Sequence, residues 1–229
     1  RWAQKVGVDP YTTNLVLRKA LEDIAKVDAA GSIATKVAVP VPAPVGSLAT
    51  VGGLVWGKDP EELRKMNEQA LGALGVSDAV AGRLFGNRWF TLTYQTRFAV
   101  ALRSVSAMGV ADYVETASAA ASEREALFFV ESAEMLQQQH AREPVREILQ
   151  DSRAMVASDG QGRVRALLPL DWIAWNQATR TALGDLTSRA RQELRGSRLE
   201  LVVGGGVSER ARREVAALGW GIDLVQPVR

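Results

Sequence analysis

Residues 197–229, SRLELVVGGGVSERARREVAALGWGIDLVQPVR, hold the pattern that most restricts the fold. An apolar run at 199–203 meets a glycine turn made of Gly204, Gly205 and Gly206. A helical pattern follows from Ser208 to Leu218 and stops at Gly219, and a second apolar run at 222–225 closes the unit. This reads as strand, turn, helix, strand. Strands joined through a helix pair in parallel, and the crossover is expected to be right-handed. The C-terminal end is therefore expected to be a layer of sheet and helix. A glycine turn entering a helix N-terminus can also turn backbone N–H groups toward an anion.

Just upstream the hydrophobic period is that of extended chain. Runs at 148–157 and 164–170 flank Ser158-Asp159-Gly160-Gln161-Gly162, a turn-rich link typical of a hairpin. A helix is predicted from Asp171, with Trp172, Trp175, Ala178, Leu183 and Leu186 as its apolar positions and Gly184 as a place where it could bend. The order from residue 145 is thus β-β-α-β-α-β, with the last two strands parallel.

Before Pro144 the signals are helical. Asn14 suits an N-cap, with Leu17, Leu21, Ile24 and Ala25 on one face behind it. Asp59-Pro60-Glu61-Glu62 is a strong helix start, an Asp cap with Pro at the first helical position. Leu63, Met66, Ala70, Leu71 and Leu74 carry that helix to a stop at Gly75. Ser77 and Asp78 open a short helix, and further helices are predicted over 93–105 and 110–120. Ser122-Glu123-Arg124-Glu125 is a capping box, in which the Glu125 side chain is expected to reach back to the Ser122 amide. Its helix runs to about His140 and ends before Pro144. The fold class is α+β, a helical N-terminal part packed on a small C-terminal α/β layer. The expected division is a mainly helical part at 1–144, with a Pro/Gly/Val-rich extended segment at 31–57, and an α/β part at 145–229.

Within that segment, VAVPVPAPVGSLATVGGLVWG at 37–57 is 21 residues without a charge. Its length would permit a membrane span. Pro40, Pro42 and Pro44 forbid a regular helix through it, and Gly46, Gly52 and Gly53 weaken the remainder. The expectation is an extended loop or edge hairpin lying against the helical part, with Trp56 at least partly buried and no transmembrane helix.

Composition removes several chemistries. No cysteine is present, which excludes disulfides, thiolate nucleophiles and thiolate metal sites. His140 is the one histidine, so no standard zinc site can be assembled, and no cofactor is called for. A Ser-His-Asp triad would have to use His140, which sits at a helix end where a histidine complements the dipole. The formal charge of +2 gives no strong nucleic-acid signal. Arginines crowd the region 189–213, but Glu193, Glu200 and Glu209 lie among them, as on a solvated face. Every lysine lies at or before Lys65, which with the abundant Ala, Gly and Val suggests a GC-rich bacterial genome.

Two groups of residues remain as candidate sites. The first is an anion site at Gly204, Gly205, Gly206, Ser208 and Arg210. It lacks the third glycine of a dinucleotide fingerprint and the Lys-Ser/Thr of a P-loop, and the competing reading is a tight turn with Ser208 as N-cap. The second is a ligand groove at Trp89, Tyr94, Gln95 and His140, set against core packing of the aromatic cluster that includes Phe90 and Phe98. The carboxylate pairs Glu61/Glu62, Glu131/Glu134 and Asp9/Asp28 could support acid–base or magnesium chemistry, but each also reads as a cap, a first-turn charge or an exposed helix face. No catalytic residue and no metal ligand is assigned.

Four stretches, VGVDPYTTNLVLRKALEDIA, LGALGVSDAVAGRLFGNRWFTLTYQTRFAVAL, SEREALFFVESAEMLQQQH and GGVSERARREVAALGW, together resemble a family of uncharacterised bacterial proteins that often carry export signals. The resemblance implies the bacterial envelope or periplasm, with the cytoplasm as the alternative, and it carries over no site residues. The start at Arg1 rather than Met admits two explanations, a removed export signal or a chain trimmed for another reason. The function expected is a non-catalytic binding or scaffolding protein of the bacterial cell envelope, with a protein partner or a small ligand. The alternatives are an enzyme handling a small molecule or phosphate at the C-terminal strand ends, and a nucleic-acid binder using the Arg-rich C-terminal helices.

Overall fold

A computed structural model of the chain describes residues 2–29 and 48–225. Helices come first and the sheet last. The helical part comprises α1 (Trp2–Val6), α2 (Leu15–Ala29), α3 (Leu48–Gly57), α4 (Pro60–Ala73), α5 (Asp78–Gly86), α6 (Leu92–Leu102), α7 (Val110–Ser118) and α8 (Glu123–Arg142). The remainder comprises β1 (Glu147–Ile148), β2 (Met155–Ser158), β3 (Arg163–Leu168), β4 (Trp172–Ile173), α9 (Gln177–Gln192), β5 (Arg198–Val203), β6 (Gly206–Val207), α10 (Glu209–Ala217) and β7 (Trp220–Leu224). The chain is α+β, as its periodicity predicts.

Side-chain caps fix the helix starts. The Asp59 carboxylate accepts from the Glu61 and Glu62 amides, Ser77 accepts from Val80 N, Thr91 from Tyr94 N and Ser122 from Glu125 N. Each satisfies a donor that has no partner inside its helix. The box at Ser122 differs in one detail. The Glu125 side chain accepts from the amide of Ala121, one residue before the amide expected.

The main sheet has the order β1-β2-β3-β5-β7. β1 and β2 are antiparallel, as are β2 and β3, while β3, β5 and β7 run parallel with Leu201 beside Ala166 on one side and Ile222 on the other. Because side chains alternate across a strand, the sheet buries both faces. Met155, Ala157, Leu167 and Val202 point into a core shared with Phe98, Tyr113, Phe129 and Leu136 of the helical part. Val156, Val164, Ala166, Leu201 and Val203 point the other way, onto Leu183 and Ala190 of α9 and Ala211 and Val215 of α10. Phe90, Phe98, Tyr113, Phe129 and Phe128 make a continuous chain of ring contacts through the first core, with successive centroids 5.5 to 6.2 Å apart.

Three local expectations are corrected. The run at 148–157 is two strands, β1 and β2, parted by a turn at Asp151, which takes a left-handed φ of 44° that a short polar side chain tolerates. The helix expected from Asp171 begins at Gln177, capped by Asn176. Trp172 and Ile173 instead pair in parallel with Gly206 and Val207, so Trp172 is off the helix and 61% exposed. Gly184 does not interrupt α9. Finally, residues 48–57 are helical rather than extended: α3 lies beyond Pro40, Pro42 and Pro44, and Val51 and Val55, one turn apart, are buried. Those prolines lie outside the described residues. Trp56 is half-buried, and its Nε1 donates to the Val8 carbonyl at 3.2 Å. Among the described residues no helix is long and apolar enough to cross a membrane.

Candidate functional site

A cleft of about 200 Å³ opens where three segments meet: the linker between α1 and α2, the N-terminal turns of α6, and the first half of α8. Asp9, Thr12 and Thr13 come from the linker, Thr91, Thr93, Tyr94 and Arg97 from α6 and its cap, and Glu123, Leu127 and Glu131 from α8. The Trp56 bond to Val8 holds the linker at its start. On α6, Thr93 and Arg97 are four residues apart and so share a face, as do Leu127 and Glu131 on α8.

The wall is built from buried polar groups. Thr93 is 1% exposed, and its hydroxyl donates to Asp9 Oδ1 at 2.5 Å. The Tyr11 amide donates to the same oxygen at 2.8 Å. Thr13 donates to Glu123 Oε1 at 2.8 Å, joining the linker to the start of α8. Arg97 is 4% exposed and forms a bidentate pair with Glu134, Nε to Oε1 and Nη2 to Oε2, each at 2.9 Å. Its guanidinium carbon also lies 5.7 Å from the centroid of the Tyr94 ring.

Burial dominates the electrostatics. It pushes the Asp9 carboxyl above the ordinary value, against the opposing pull of Thr93, the Tyr11 amide and Arg97. Burial likewise raises Glu131, with Arg97 opposing and Glu134 and Asp171 adding to the rise. No hydrogen bond contributes to the Glu131 shift. Tyr94 is pushed up to about 12, by burial first and then by the charge of Glu123. Burial opposes the charge on Arg97, but the hydrogen bonds and charge of Glu134 outweigh it, so the guanidinium stays charged. Among the described residues no group of three acidic or histidine side chains is placed to hold a metal ion.

Of the four groove candidates, only Tyr94 lines this cleft. Trp89 packs on the first core, with the Arg88 guanidinium 4.6 Å from its ring centroid. Gln95 is buried and donates Nε2 to the carbonyls of Phe85 and Phe90, which ties α5 to α6. The His140 ring accepts the Val145 amide at Nδ1, 3.1 Å away, where the chain leaves α8. It stands nine residues beyond Glu131, roughly 13 Å along the helix axis at 1.5 Å per residue. Of the carboxylate pairs, Glu134 is committed to Arg97, Glu61 and Glu62 are exposed in the first turn of α4, and the Asp28 side chain lies outside the described residues.

At the glycine turn the backbone donors are largely occupied. Gly204 N donates to Leu168 O, Gly206 N to Asp171 O and Ser208 N to Ile173 O. Ser208 Oγ accepts from Ala211 N and caps α10. A Cβ on Gly205 would collide with the Asp171 carbonyl, and one on Gly206 with the Trp172 ring. These glycines therefore admit a neighbouring strand. Arg210 is exposed in the first turn of α10.

Sequence reasoning reached Tyr94 through its aromatic neighbourhood and met Asp9 and Glu131 only as members of carboxylate pairs. Thr93 and Arg97 carried no signal of their own, although their i, i+4 spacing beside Tyr94 was visible. Compared with protein-family models, curated proteins and solved structures, the chain has no match. That outcome is consistent with its resemblance to a family without an established activity.

Proposed function

We propose that this is a non-catalytic binding protein of the bacterial envelope, and that the cleft between the α1–α2 linker, α6 and α8 is where it holds a small polar solute. The observation that carries this reading is the wall itself. Arg97 and Thr93, both almost wholly buried, are set in a hydrogen-bonded frame around an open space that also exposes half-buried carboxylates. Burial of charge is unfavourable, and a fold that needed only stability would favour apolar packing here. Polar groups converging on a cleft beside an aromatic ring are the ordinary make-up of a small-molecule site.

The strand ends offer less. The region beyond the carboxyl ends of β3 and β5 is taken up by the chain itself, where β4 pairs with β6, Gly204 N donates to Leu168 O at the end of β3, and Gly206 N donates to Asp171 O in the connection after it. The envelope location rests on the family resemblance.

The test is a screen of small amines, amino acids, carboxylates and sugars against the full chain, read by amide shifts. Binding solutes are expected to move Thr93, Tyr94, Arg97 and Glu131 together. A screen in which binders shift other regions and leave these four still would refute the cleft as the site. Turnover of any bound solute would refute the non-catalytic reading.

A further inference from the structure

We infer that the cleft takes a small organic cation, an amine in its ammonium form, drawn in by the Asp9 and Glu131 carboxylates that line it, with Tyr94 and Leu127 in its apolar lining. This rests on the cleft being the ligand site and adds the class of ligand.

The first ground is the balance of charge. The linker contributes Asp9, α8 contributes Glu123 and Glu131, and Asp171 acts on Glu131 from the connection after β3. Arg97 on α6 is the cation facing them, and both carboxylate oxygens of Glu134 already engage it. Tyr11 also borders Asp9, and the charge of Arg64 on α4 acts on Tyr11. An entering anion would meet several carboxylates and a guanidinium already paired. A neutral molecule would bury the acids further and leave them unpaired, which is costly. An ammonium group brings the charge that opposes theirs.

The second ground is the set of free acceptors. Both hydrogen bonds to Asp9 land on Oδ1, which leaves Oδ2 open. Glu131 accepts none. An ammonium group carries three donors and no acceptor, so an open carboxylate oxygen suits it. The third ground is size and lining. About 200 Å³ is the room of roughly seven waters at ~30 Å³ each, enough for an amine with a short carbon chain. Leu127 and Tyr94 line the cleft and supply apolar contact for the carbon chain. Among the described residues no three acids are placed to hold a metal ion, which favours an organic cation over a metallic one.

The test titrates the full chain with butylammonium, and in parallel with 1-butanol and butyrate as controls of similar size. Amide shifts and the side-chain carboxyl carbons of Asp9 and Glu131 give the readout. Butylammonium is expected to shift Tyr94, Arg97 and both carboxyl carbons, with each control at least tenfold weaker. Its binding should weaken as pH falls and Asp9 and Glu131 take up protons. Glu131→Gln, which breaks no hydrogen bond, should weaken butylammonium at least fivefold. Asp9→Asn should do the same while keeping an oxygen for Thr93 and Tyr11, so the test has two independent variants. Circular dichroism confirms that each variant is folded. If 1-butanol or butyrate binds the cleft as tightly, the cation assignment is overturned and the cleft remains a ligand site. If butylammonium leaves the cleft unmoved, or both variants bind it like the parent, the assignment is overturned as well. Silence at the cleft across the whole solute screen would overturn the cleft reading itself.

Discussion

Glu131 holds a charge where burial opposes it and no hydrogen bond relieves it. Folding raises its pKa, so the folded state binds the proton more tightly than the unfolded chain does. Its carboxylate therefore subtracts from stability above the raised value, and the subtraction fades as pH falls below the ordinary 4.5. Glu131→Gln should accordingly melt above the parent at pH 7, with the difference closing in acid. Thermal unfolding at the two pH values checks this, and a variant that melts lower at pH 7 would contradict it. A residue that weakens the fold is one that a ligand can redeem, which is the usual bargain at binding sites. Arg97 stands in the opposite position. It is 4% exposed and its partner Glu134 19%, so removing one partner strands the other. Arg97→Ala should cost about 3 kcal/mol or more in urea unfolding, whereas replacing both residues with apolar ones of similar volume should recover most of that loss.

At the scale of elements, glycines with different surroundings should respond with opposite signs. Gly205 faces the backbone of Asp171 and has no room for a methyl group, so Gly205→Ala should cost about 1–3 kcal/mol, toward the upper end because backbone must move. Gly184 lies inside α9 with open space where its Cβ would stand, so Gly184→Ala should stabilise by about 0.5–1 kcal/mol. Ser208→Ala removes the cap of α10 and should cost about 1 kcal/mol. Chemical denaturation of the three variants ranks them. The same contrast explains what the sequence discloses. The caps at Asp59, Ser122 and Ser208 bond within three residues of themselves, and the stop at Gly219 has a positive φ, so local pattern suffices for all four. The pairing of Trp172 with Gly206 spans more than thirty residues and overrode a plausible helix start at Asp171. In the cleft, the bond between Thr93 and Asp9 joins residues 84 apart and that between Thr13 and Glu123 residues 110 apart. Nothing in the immediate neighbourhood of either acid marks it, so the site became legible only when the helices were packed.

The whole molecule is joined through its sheet. Val145, Ile148, Met155, Ala157, Leu167 and Val202 are buried in the core that also contains Phe98, Tyr113 and Phe129. Without the helices, that face of the sheet would meet water. Full burial of a large apolar side chain contributes about 1.5–3 kcal/mol, so exposing these residues costs on the order of 10 kcal/mol, which is comparable to the entire stability of a typical domain. The opposite face, covered by α9 and α10, does not replace them, because alternate side chains point away from it. Residues 145–229 alone are therefore expected to lack a cooperative fold, and the full chain should unfold in one step. Tryptophans serve as reporters on both sides: Trp56 and Trp89 lie in the helical part, while Trp220 is buried against α9 with its Nε1 donating to Thr187 at 2.8 Å. Variants retaining only Trp89 or only Trp220 should give coincident urea transitions, superimposable on far-ultraviolet circular dichroism. Transitions separated by more than the fitting error, or a cooperative transition in the isolated 145–229 fragment, would show instead that the sheet layer stands without the helices. The cleft would then be expected to respond to the helical transition alone, since all its walls come from residues before 144.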